Sequence, residues 1–180
     1  STHQKNNAMI VPKKPDPPWL TAFLAHCHVK RYDKMVEFIR QHDPATSLYY
    51  LIDGSVAAIV EDEEQKEIVL AYINKGEFIG EMGLFTPDSS RSVKVRTRTK
   101  CQVAEITYKK LEQLMDNELQ SHAKDLLFAI GLQLSQRLRS TSDKVGHLAF
   151  LDVTGRIART LLDLCKEPDA MTHPDGMQIR

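Results

Sequence analysis

Cysteine is scarce in this sequence, and its three residues stand far apart at Cys27, Cys101 and Cys165. Their odd number and wide spacing exclude a disulfide framework, a zinc knuckle and an iron–sulfur cluster held by four thiolates. His26 and His28 flank Cys27, but no carboxylate or third histidine stands close by in the sequence. The pattern therefore predicts no metal site, and it favours a reducing cytoplasm over an oxidising compartment.

Two further absences concern charge and hydrophobicity. The 24 Lys and Arg residues balance the 24 Asp and Glu residues, so the basic excess of an electrostatic nucleic-acid footprint is missing. No apolar run approaches the length of a membrane span, and no charged-then-apolar leader opens the chain. The 180 residues predict a globular protein of one domain, or one domain with an appendage, without a membrane segment or a secretion signal.

The first half of the chain has the pattern of a β protein. Residues 1–18 are polar and end in a proline-rich stretch, which predicts a flexible arm, and helical spacing predicts a short helix from Trp19 to about His26. Asp53-Gly54 predicts a hairpin turn, and the acidic run 61–66 predicts a hairpin tip. Alternating apolar residues predict strands at 48–52, 56–60, 68–73, 93–97 and 102–106. Together these strands predict an antiparallel β-roll or jelly roll.

Beyond Tyr108 the apolar period becomes helical. It predicts a short helix at 109–115 and a long helix from about Glu118 to about Ser142 or slightly beyond. A 3-4 spacing along the long helix joins Leu127, Ile130, Leu134, Arg137, Thr141 and Val145. This spacing is typical both of a coiled-coil-like dimer seam and of an amphipathic helix packed on its own barrel. A further helix is expected at 153–166, and a strand is expected to start at 177–180.

The segment 80–92 carries the strongest chemical signal, because Gly80, Glu81 and Gly83 precede Arg91 and Ser92. Arg91 offers a planar fork of donors for a phosphate, and Ser92 and neighbouring backbone N–H groups add neutral donors. Ionised Glu81 only accepts hydrogen bonds, which suits a ribose hydroxyl, and glycines let a backbone approach a ligand. The segment predicts a sugar-phosphate site, although a β-turn with an incidental ion pair also accounts for these residues.

The ordered blocks of this sequence resemble the bacterial cyclic-AMP receptor proteins, or catabolite activators, of the CRP/FNR family. The resemblance covers roughly residues 19–180. Its most specific blocks lie at 48–50, 53–57, 78–81, 83–85, 91–92, 104–106, 141–142, 144–146, 148–158 and 171–179. The resemblance implies an α+β protein in which an antiparallel cyclic-nucleotide-binding β-roll precedes a long dimerisation helix and the start of a winged helix-turn-helix domain.

The resemblance also implies that the β-roll holds cyclic AMP as its effector, with no metal and no catalytic residue. By the matching positions, Arg91 and Ser92 are expected to bind the cyclic phosphate, and Glu81 the ribose 2′-hydroxyl. Gly80 is expected to give backbone access, and Leu70 to pack near the ligand.

Three residues of the long helix are implied to contact the base. Arg137 matches an arginine near the adenine, Thr141 is expected to bind the adenine amino group, and Ser142 to do so from the other subunit of a homodimer. The dimer is expected to form through residues 118–145.

The implied domain order is an arm at 1–18, the β-roll with short flanking helices at 19–117, the dimerisation helix at 118–147, and a hinge with the truncated start of the DNA-binding domain at 148–180. The recognition helix is not in this sequence, so promoter DNA and RNA polymerase are expected partners of the full-length protein. About five residues more than in the best-known members are expected in the loop near 116–124.

Other functions fit parts of the sequence. The protein could be a CRP/FNR regulator that senses another ligand or none, or the regulatory module of a signalling enzyme such as a kinase. The hinge-like block 148–158 argues against the enzyme module, because it matches transcription factors. A cupin-type metalloenzyme on a similar roll is disfavoured, since its metal ligands are missing from the predicted strands. The sequence therefore favours a non-enzymatic, cytoplasmic, cyclic-AMP-gated transcription regulator.

Overall fold

The computed structural model of the protein describes residues 15–165, 171–173 and 176–178. The chain divides into two compact units, Ser1–Gly131 and Leu132–Arg180. In the described part of the chain, no helix combines the length and the hydropathy that crossing a bilayer requires. The flexible arm expected at 1–18 lies mostly outside the described residues.

The first unit contains two four-stranded antiparallel sheets, which confirms the predicted β-roll. The first sheet has the order β1-β8-β3-β6, formed by His28–Tyr32, Cys101–Thr107, Ser47–Asp53 and Phe78–Ile79. The second has the order β2-β7-β4-β5, formed by Glu37–Ile39, Lys94–Thr97, Ser55–Glu61 and Glu67–Asn74. The helices of this unit are α1 at Pro18–Ala25, α2 at Met82–Phe85 and α3 at Tyr108–Asp116, followed by a 3₁₀ turn at Gln120–His122.

Aliphatic side chains from both sheets form one core. Leu51 and Val103 of the first sheet pack with Val56 and Val95 of the second, and each of these four side chains is almost fully buried. Successive side chains of a strand point to opposite faces of its sheet, and the inward-facing side chains of the two sheets meet in this core. Such burial contributes roughly 1.5–3 kcal/mol per large aliphatic side chain, and it holds the two sheets together.

An aromatic cluster attaches α1 to the first sheet. Phe23 of α1 is fully buried and packs edge-on against Phe78, with ring centroids 5.8 Å apart, and against Tyr50 at 6.4 Å. Trp19 stacks on Phe78 at 6.1 Å. The helical spacing of Leu20, Phe23 and Leu24 predicted this short helix correctly.

The expected hairpin at Asp53-Gly54 is wrong. The strands on either side of Gly54 belong to different sheets and do not pair with each other. The segment is a corner where the chain passes from one sheet to the other. The connection between β7 and β8 is another such corner, and a hydrogen bond from Arg98 N–H to the Ser55 carbonyl, at 2.8 Å, joins the two corners. The hairpin tip predicted at 61–66 is confirmed, since β4 and β5 pair on both sides of it.

Sequence periodicity missed the shortest elements. The edge strand β1 is almost entirely exposed and shows no apolar alternation, and β2, β6 and α2 are only three, two and four residues long. An element of that length contains too few residues to show a period.

Helix α4 runs without interruption from Ala123 to Leu164, a span of 42 residues. It begins later than the expected Glu118, because the 3₁₀ turn occupies 120–122. A separate helix starting at 153 is wrong: residues 148–152 are helical, and no proline interrupts them. A hinge at 148–152 and the boundaries at 118 and 148 stay predictions.

The first turns of α4 belong to the core of the first unit. Leu126 and Ile130 are fully buried in the single chain. Ile130 therefore packs within its own subunit, although the 3-4 spacing also allowed it a place on a dimer seam. In the second unit the helix exposes apolar side chains such as Leu138 and Val145.

The C-terminal strand prediction is confirmed for its first part. Strand β9 at Met171–His173 pairs antiparallel with β10 at Gly176–Gln178, and residues 179–180 lie outside the described residues. The sequence analysis did not foresee β9, because three residues do not show an alternating pattern.

Candidate functional site

Backbone pairing fixes the position of Arg91 in the first unit. The Arg91 N–H donates to the Asp43 carbonyl at 2.7 Å, and the Arg91 carbonyl accepts from His42 N–H at 2.8 Å. An antiparallel bridge joins the preceding Ser90 to Pro44. Arg91 is therefore anchored to the connection between β2 and β3, and only 8% of its surface is exposed.

The guanidinium of Arg91 lies between two tyrosine rings, those of Tyr49 and Tyr108. Its carbon is 5.7 Å from the Tyr49 ring centroid and 5.9 Å from that of Tyr108, within the range of a cation–π contact. Nη2 donates to the Ser47 carbonyl at 2.7 Å, and Nη1 donates to Oη of Tyr108 at 3.0 Å. The side chain is thus held in one orientation.

Both acceptors of the Arg91 hydrogen bonds are neutral oxygens. Across residues 15–165 no carboxylate forms an ion pair with this guanidinium. Burial raises the pKa of Tyr49 to about 12 and also raises the pKa of Tyr108, so both phenols are uncharged at neutral pH. Arg91 is consequently a buried cation without a counter-charge from these contacts, which is costly unless an anion pairs with it.

Tyr108 connects Arg91 to the Gly80 turn. Its hydroxyl donates to the Gly80 carbonyl at 2.6 Å while it accepts from Arg91. Gly80 has a φ of +80°, a conformation that favours glycine. The hydrogen bonds join the turn at Gly80, the start of α3 and the Arg91 segment, which are separate parts of the chain.

The two glycines of the Gly-Glu-Met-Gly segment make room for these side chains. A Cβ at Gly80 would lie 2.5 Å from Nη1 of Arg91, and a Cβ at Gly83 would lie 2.3 Å from Oη of Tyr108. The sequence analysis assigned the glycines to the approach of a ligand. The structure adds a second reason for them, which is the close packing of Arg91 and Tyr108.

Glu81 and Ser92, the neighbours expected to bind the ligand with Arg91, differ in their exposure to solvent. Glu81 is only 3% exposed and precedes α2, and its charge contributes to the raised pKa of Tyr108. Ser92 directly follows Arg91 and is exposed. The structure therefore brings Gly80, Glu81 and Arg91 together around the Tyr108 ring.

Leu70 occupies a β-bulge. Ala71 pairs with Ala58 and Val69 pairs with Ile59, so Leu70 is the extra residue between two paired positions. Its side chain is 49% exposed. A bulge re-aims the side chain that it carries, and bulges are common beside binding sites.

The three residues expected to contact the base lie on α4 in the second unit. Arg137 is half-buried, and Thr141 and Ser142 are exposed. Arg137 and Thr141 are four residues apart and therefore share one face of the helix, while Ser142 points about 100° away from Thr141.

Sequence reasoning missed Tyr108, Ser47 and Tyr49 as components of the site. Tyr108 is 17 residues from Arg91 and 28 from Gly80, so no local motif links it to either. A polar aromatic directly after a buried strand was the one available signal, and it does not distinguish a site residue from a helix start.

In the histidine–cysteine segment 26–28, the side chain of Cys27 is half-buried. The Cys27 thiol donates to the Phe23 carbonyl at 3.4 Å, and burial raises the pKa of Cys27 to about 12. Over the described residues, no three His, Cys, Asp or Glu side chains come together in an arrangement that could hold a metal ion.

Comparison with known proteins places this site in a family. Residues 29–118 match the family described as "Cyclic nucleotide-binding domain". Over 172 residues the chain is 52% identical to the cAMP-activated global transcriptional regulator CRP of Escherichia coli O6:H1, covering 96% of this chain and 80% of that protein. The CRP-like protein Clp of Xanthomonas euvesicatoria is 53% identical over 158 residues, covering 88% of this chain and 69% of that protein.

A solved structure agrees with the sequence matches. The c-di-GMP responsive global regulator CLP of Xanthomonas campestris aligns with a TM-score of 0.71 at 52% identity, covering 90% of this chain and 78% of that one. The family resemblance and the fold predicted from the sequence are thereby confirmed. The Escherichia coli relative is named as a transcriptional regulator, and the Xanthomonas campestris protein is described as a global regulator. The chain belongs to the CRP/FNR family and is a cyclic nucleotide-binding transcription regulator of the CRP type.

Proposed function

We propose that this protein is a cytoplasmic, non-enzymatic, homodimeric regulator that binds cyclic AMP and thereby changes its affinity for promoter DNA. Its further partner in the full-length protein is RNA polymerase. Cyclic AMP acts as the effector by binding one of two states of the dimer more tightly than the other.

The burial of Arg91 without a carboxylate partner carries this proposal. A cyclic phosphodiester has one negative charge and two exocyclic oxygens, which match the charge and the forked donors of a guanidinium. The hydrogen bonds to Ser47 and Tyr108 use two of the five N–H donors of Arg91, and three donors are left for a phosphate. A bound phosphate supplies the counter-charge that the contacts with Ser47 and Tyr108 do not provide.

The neighbouring residues take the other parts of the nucleotide. Glu81 accepts a hydrogen bond from the ribose 2′-hydroxyl, because an ionised carboxylate is an acceptor only. Ser92 adds a neutral donor to the phosphate, and Gly80 gives backbone access to the sugar. Leu70 packs near the ligand from its bulge in β5, and its exposed side chain is consistent with this role.

The base and the subunit interface share α4 in this proposal. By analogy with the family, Thr141 binds the adenine amino group, Ser142 contacts it from the partner subunit, and Arg137 lies near the adenine ring. The exposure of Thr141 and Ser142 in the single chain supports an assignment in which a ligand or a second subunit covers them.

A second ligand deserves the same test, because a close relative has a different effector. The Xanthomonas campestris regulator is described as responsive to c-di-GMP, and it is 52% identical to this chain. The regulatory module of a signalling enzyme is less well supported, since the match to CRP covers 96% of this chain and 80% of that protein.

Calorimetric titration of the chain with cyclic AMP, cyclic GMP and c-di-GMP tests the proposal. We expect cyclic AMP to bind most tightly and to raise the melting temperature, as a ligand of the folded state does. Arg91→Leu should weaken binding at least about a hundredfold, because a charge-assisted contact in a buried site is lost. Arg31→Leu, at an exposed position of the edge strand β1, is the matched control.

Equal affinity of wild type and Arg91→Leu would overturn the assignment of Arg91 to the phosphate. Tighter binding of c-di-GMP than of cyclic AMP would replace the effector while leaving the family unchanged.

A further inference from the structure

We propose that Tyr108 is a positioning residue of the effector site, which holds the Arg91 guanidinium in the orientation that the cyclic phosphate requires. The inference rests on the proposed function, because it takes Arg91 as the residue that binds the phosphate. It adds Tyr108, a residue outside the Gly-Glu and Arg-Ser segments, to the residues that decide phosphate recognition.

The direction of the two hydrogen bonds of Tyr108 carries the argument. A phenol has one O–H donor, and Tyr108 gives it to the Gly80 carbonyl at 2.6 Å. The lone pairs of Oη therefore face the other partner, Nη1 of Arg91, at 3.0 Å. A guanidinium cannot accept a hydrogen bond, so donation can run only from Arg91 to Tyr108 and from Tyr108 to Gly80.

Tyr108 is itself held from an independent element. It is the first residue of α3, whose N-cap Thr107 accepts from Lys110 N–H at 3.2 Å. Leu111 and Leu114 of the same helix are fully buried. The ring of Tyr108 thus stands on a packed helix start, and a fixed hydroxyl can fix the guanidinium that donates to it.

Steric contact restricts the same pair. A Cβ at Gly80 would lie 2.5 Å from Nη1, and a Cβ at Gly83 would lie 2.3 Å from Oη. The backbone at Gly80 is therefore in direct contact with Nη1 of Arg91, and the backbone at Gly83 is in direct contact with Oη of Tyr108. With the second bond from Nη2 to the Ser47 carbonyl at 2.7 Å, the plane of the fork is defined by two contacts.

The neutrality of Tyr108 is part of this role. A carboxylate at the same place would also orient Arg91, but it would neutralise the charge that attracts the phosphate. Burial raises the pKa of Tyr108, so the phenol orients the guanidinium and leaves its charge for the ligand. The charge-assisted hydrogen bond is among the stronger kinds, which makes its loss measurable in affinity.

Tyr108→Phe, which keeps the ring and removes only the hydroxyl, tests the proposal. We expect cyclic AMP to bind about tenfold more weakly, corresponding to the loss of one charge-assisted hydrogen bond that orients the fork. Tyr32→Phe is the matched control, because Tyr32 is a half-buried tyrosine of the same unit whose ring stacks on Phe38 at 4.9 Å.

A second readout separates positioning from a merely structural role. The Rp and Sp cyclic phosphorothioates of adenosine carry sulfur at one or the other exocyclic position of the phosphate. A correctly oriented fork distinguishes the two, so we expect Tyr108→Phe to bring their affinity ratio at least threefold closer to one. A variant that only lowers the free energy of unfolding would weaken both analogues equally.

Gly83→Ala provides an independent route to the same test, since the new Cβ must displace the Tyr108 hydroxyl. Circular dichroism and the melting temperature show that each variant is folded. An unchanged phosphorothioate ratio in folded Tyr108→Phe and folded Gly83→Ala would overturn the role of Tyr108. If Arg91→Leu also binds cyclic AMP normally, the proposed function fails as well, and the two failures are thereby distinguished.

Discussion

The α-carbon of Gly54 lies directly against Cys101, and a Cβ at Gly54 would be 2.6 Å from the Cys101 sulfur and 2.5 Å from the Lys100 carbonyl oxygen. Gly54 also has a φ of +96°. This contact is where the corner between β3 and β4 meets the corner between β7 and β8, so it joins the two sheets at one end of the roll.

Gly54→Ala should therefore destabilise the protein by about 2–4 kcal/mol, because it adds backbone strain and a collision with a main-chain carbonyl. Urea unfolding measures this loss in the free energy of unfolding. Gly76→Ala is the control, since Gly76 has a similar φ of +90° but its Cβ would approach only the Tyr50 hydroxyl, at 3.8 Å. We expect the control to lose about 1–2 kcal/mol. Equal losses at both glycines would show that the corner tolerates the collision.

A cluster of five charges lies across the second sheet and connects all four of its strands. Lys94 of β7 pairs with Glu37, Glu61 and Glu67, and Arg96 pairs with Glu37 and Glu67. The hydrogen bond from Arg96 and then that from Lys94 lower the pKa of Glu67 from 4.5 to about 2. Hydrogen bonds to Glu61 and Glu67 raise the pKa of Lys94, and hydrogen bonds to Glu67 and Glu37 raise the pKa of Arg96.

Glu67→Gln should make the protein less sensitive to acid. Because the pKa of Glu67 is lower in the folded than in the unfolded state, its contribution is fully present above about pH 4.5 and is lost as the pH falls towards 2. The melting temperature of the wild type should therefore fall further between about pH 6 and about pH 3 than the melting temperature of the variant does.

Glu63→Gln is the control for this comparison, since Glu63 stands at the exposed tip of the β4–β5 hairpin. It should reproduce the acid sensitivity of wild type. If Glu67→Gln behaves like Glu63→Gln, the ion pairs of Glu67 contribute nothing measurable to stability, as is common for half-exposed pairs.

Val145→Asp tests the proposed dimer. Val145 is 60% exposed in the single chain and stands on the spacing predicted for the seam. A buried carboxylate at a subunit interface is unfavourable, so we expect wild type to be a dimer at micromolar concentration and the variant to be a monomer in light scattering.

Gln136→Asp is the matched control, because Gln136 lies nine residues earlier, about 180° around the helix, and is also exposed. This variant should remain dimeric. A wild-type monomer at micromolar concentration would contradict both the dimer and the shared contact of Ser142 with the ligand.

Thr141→Val tests the contact to the base, since valine keeps the shape of threonine and removes the hydroxyl. Losing one neutral hydrogen bond should weaken cyclic AMP binding by about three- to tenfold without abolishing it, as calorimetry would show. Thr154→Val is the control on the same helix, where the hydroxyl donates to the Phe150 carbonyl at 2.9 Å. An unchanged affinity in Thr141→Val would remove Thr141 from the site.

Long periodic elements were predictable from the sequence, and the connections between them were less so. Alternation of apolar residues located β3, β4, β5, β7 and β8 to within a residue or two, because successive side chains of a strand point to opposite faces of the sheet. Asp53-Gly54 was mistaken for a hairpin, since a glycine with positive φ serves a corner between sheets as well as a turn within one. The bulge at Leu70 was equally invisible, because a one-residue change of register leaves the composition unaltered.

The helix prediction failed at its ends for a related reason. Residues 148–152 contain good helix formers, and nothing local marks a break between them and the segment that follows. The expected hinge there came from resemblance alone. The spacing of Ile130 allowed it to pack either on a second subunit or on its own β-roll. Its full burial in the single chain shows that it packs within its own unit.

The sequence by itself determined the family and the β-roll, because ordered blocks that match the family are spread over residues 19–180, and it predicted Gly80, Glu81, Arg91 and Ser92 as residues of the effector site. Only the tertiary structure decided how Arg91 is held. Ser47 and Tyr49 reach it from β3, and Tyr108 reaches it from the start of α3, which is far from β3 along the chain. Such contacts depend on how the sheets close, and closure is set by packing of the whole core rather than by any local pattern of residues.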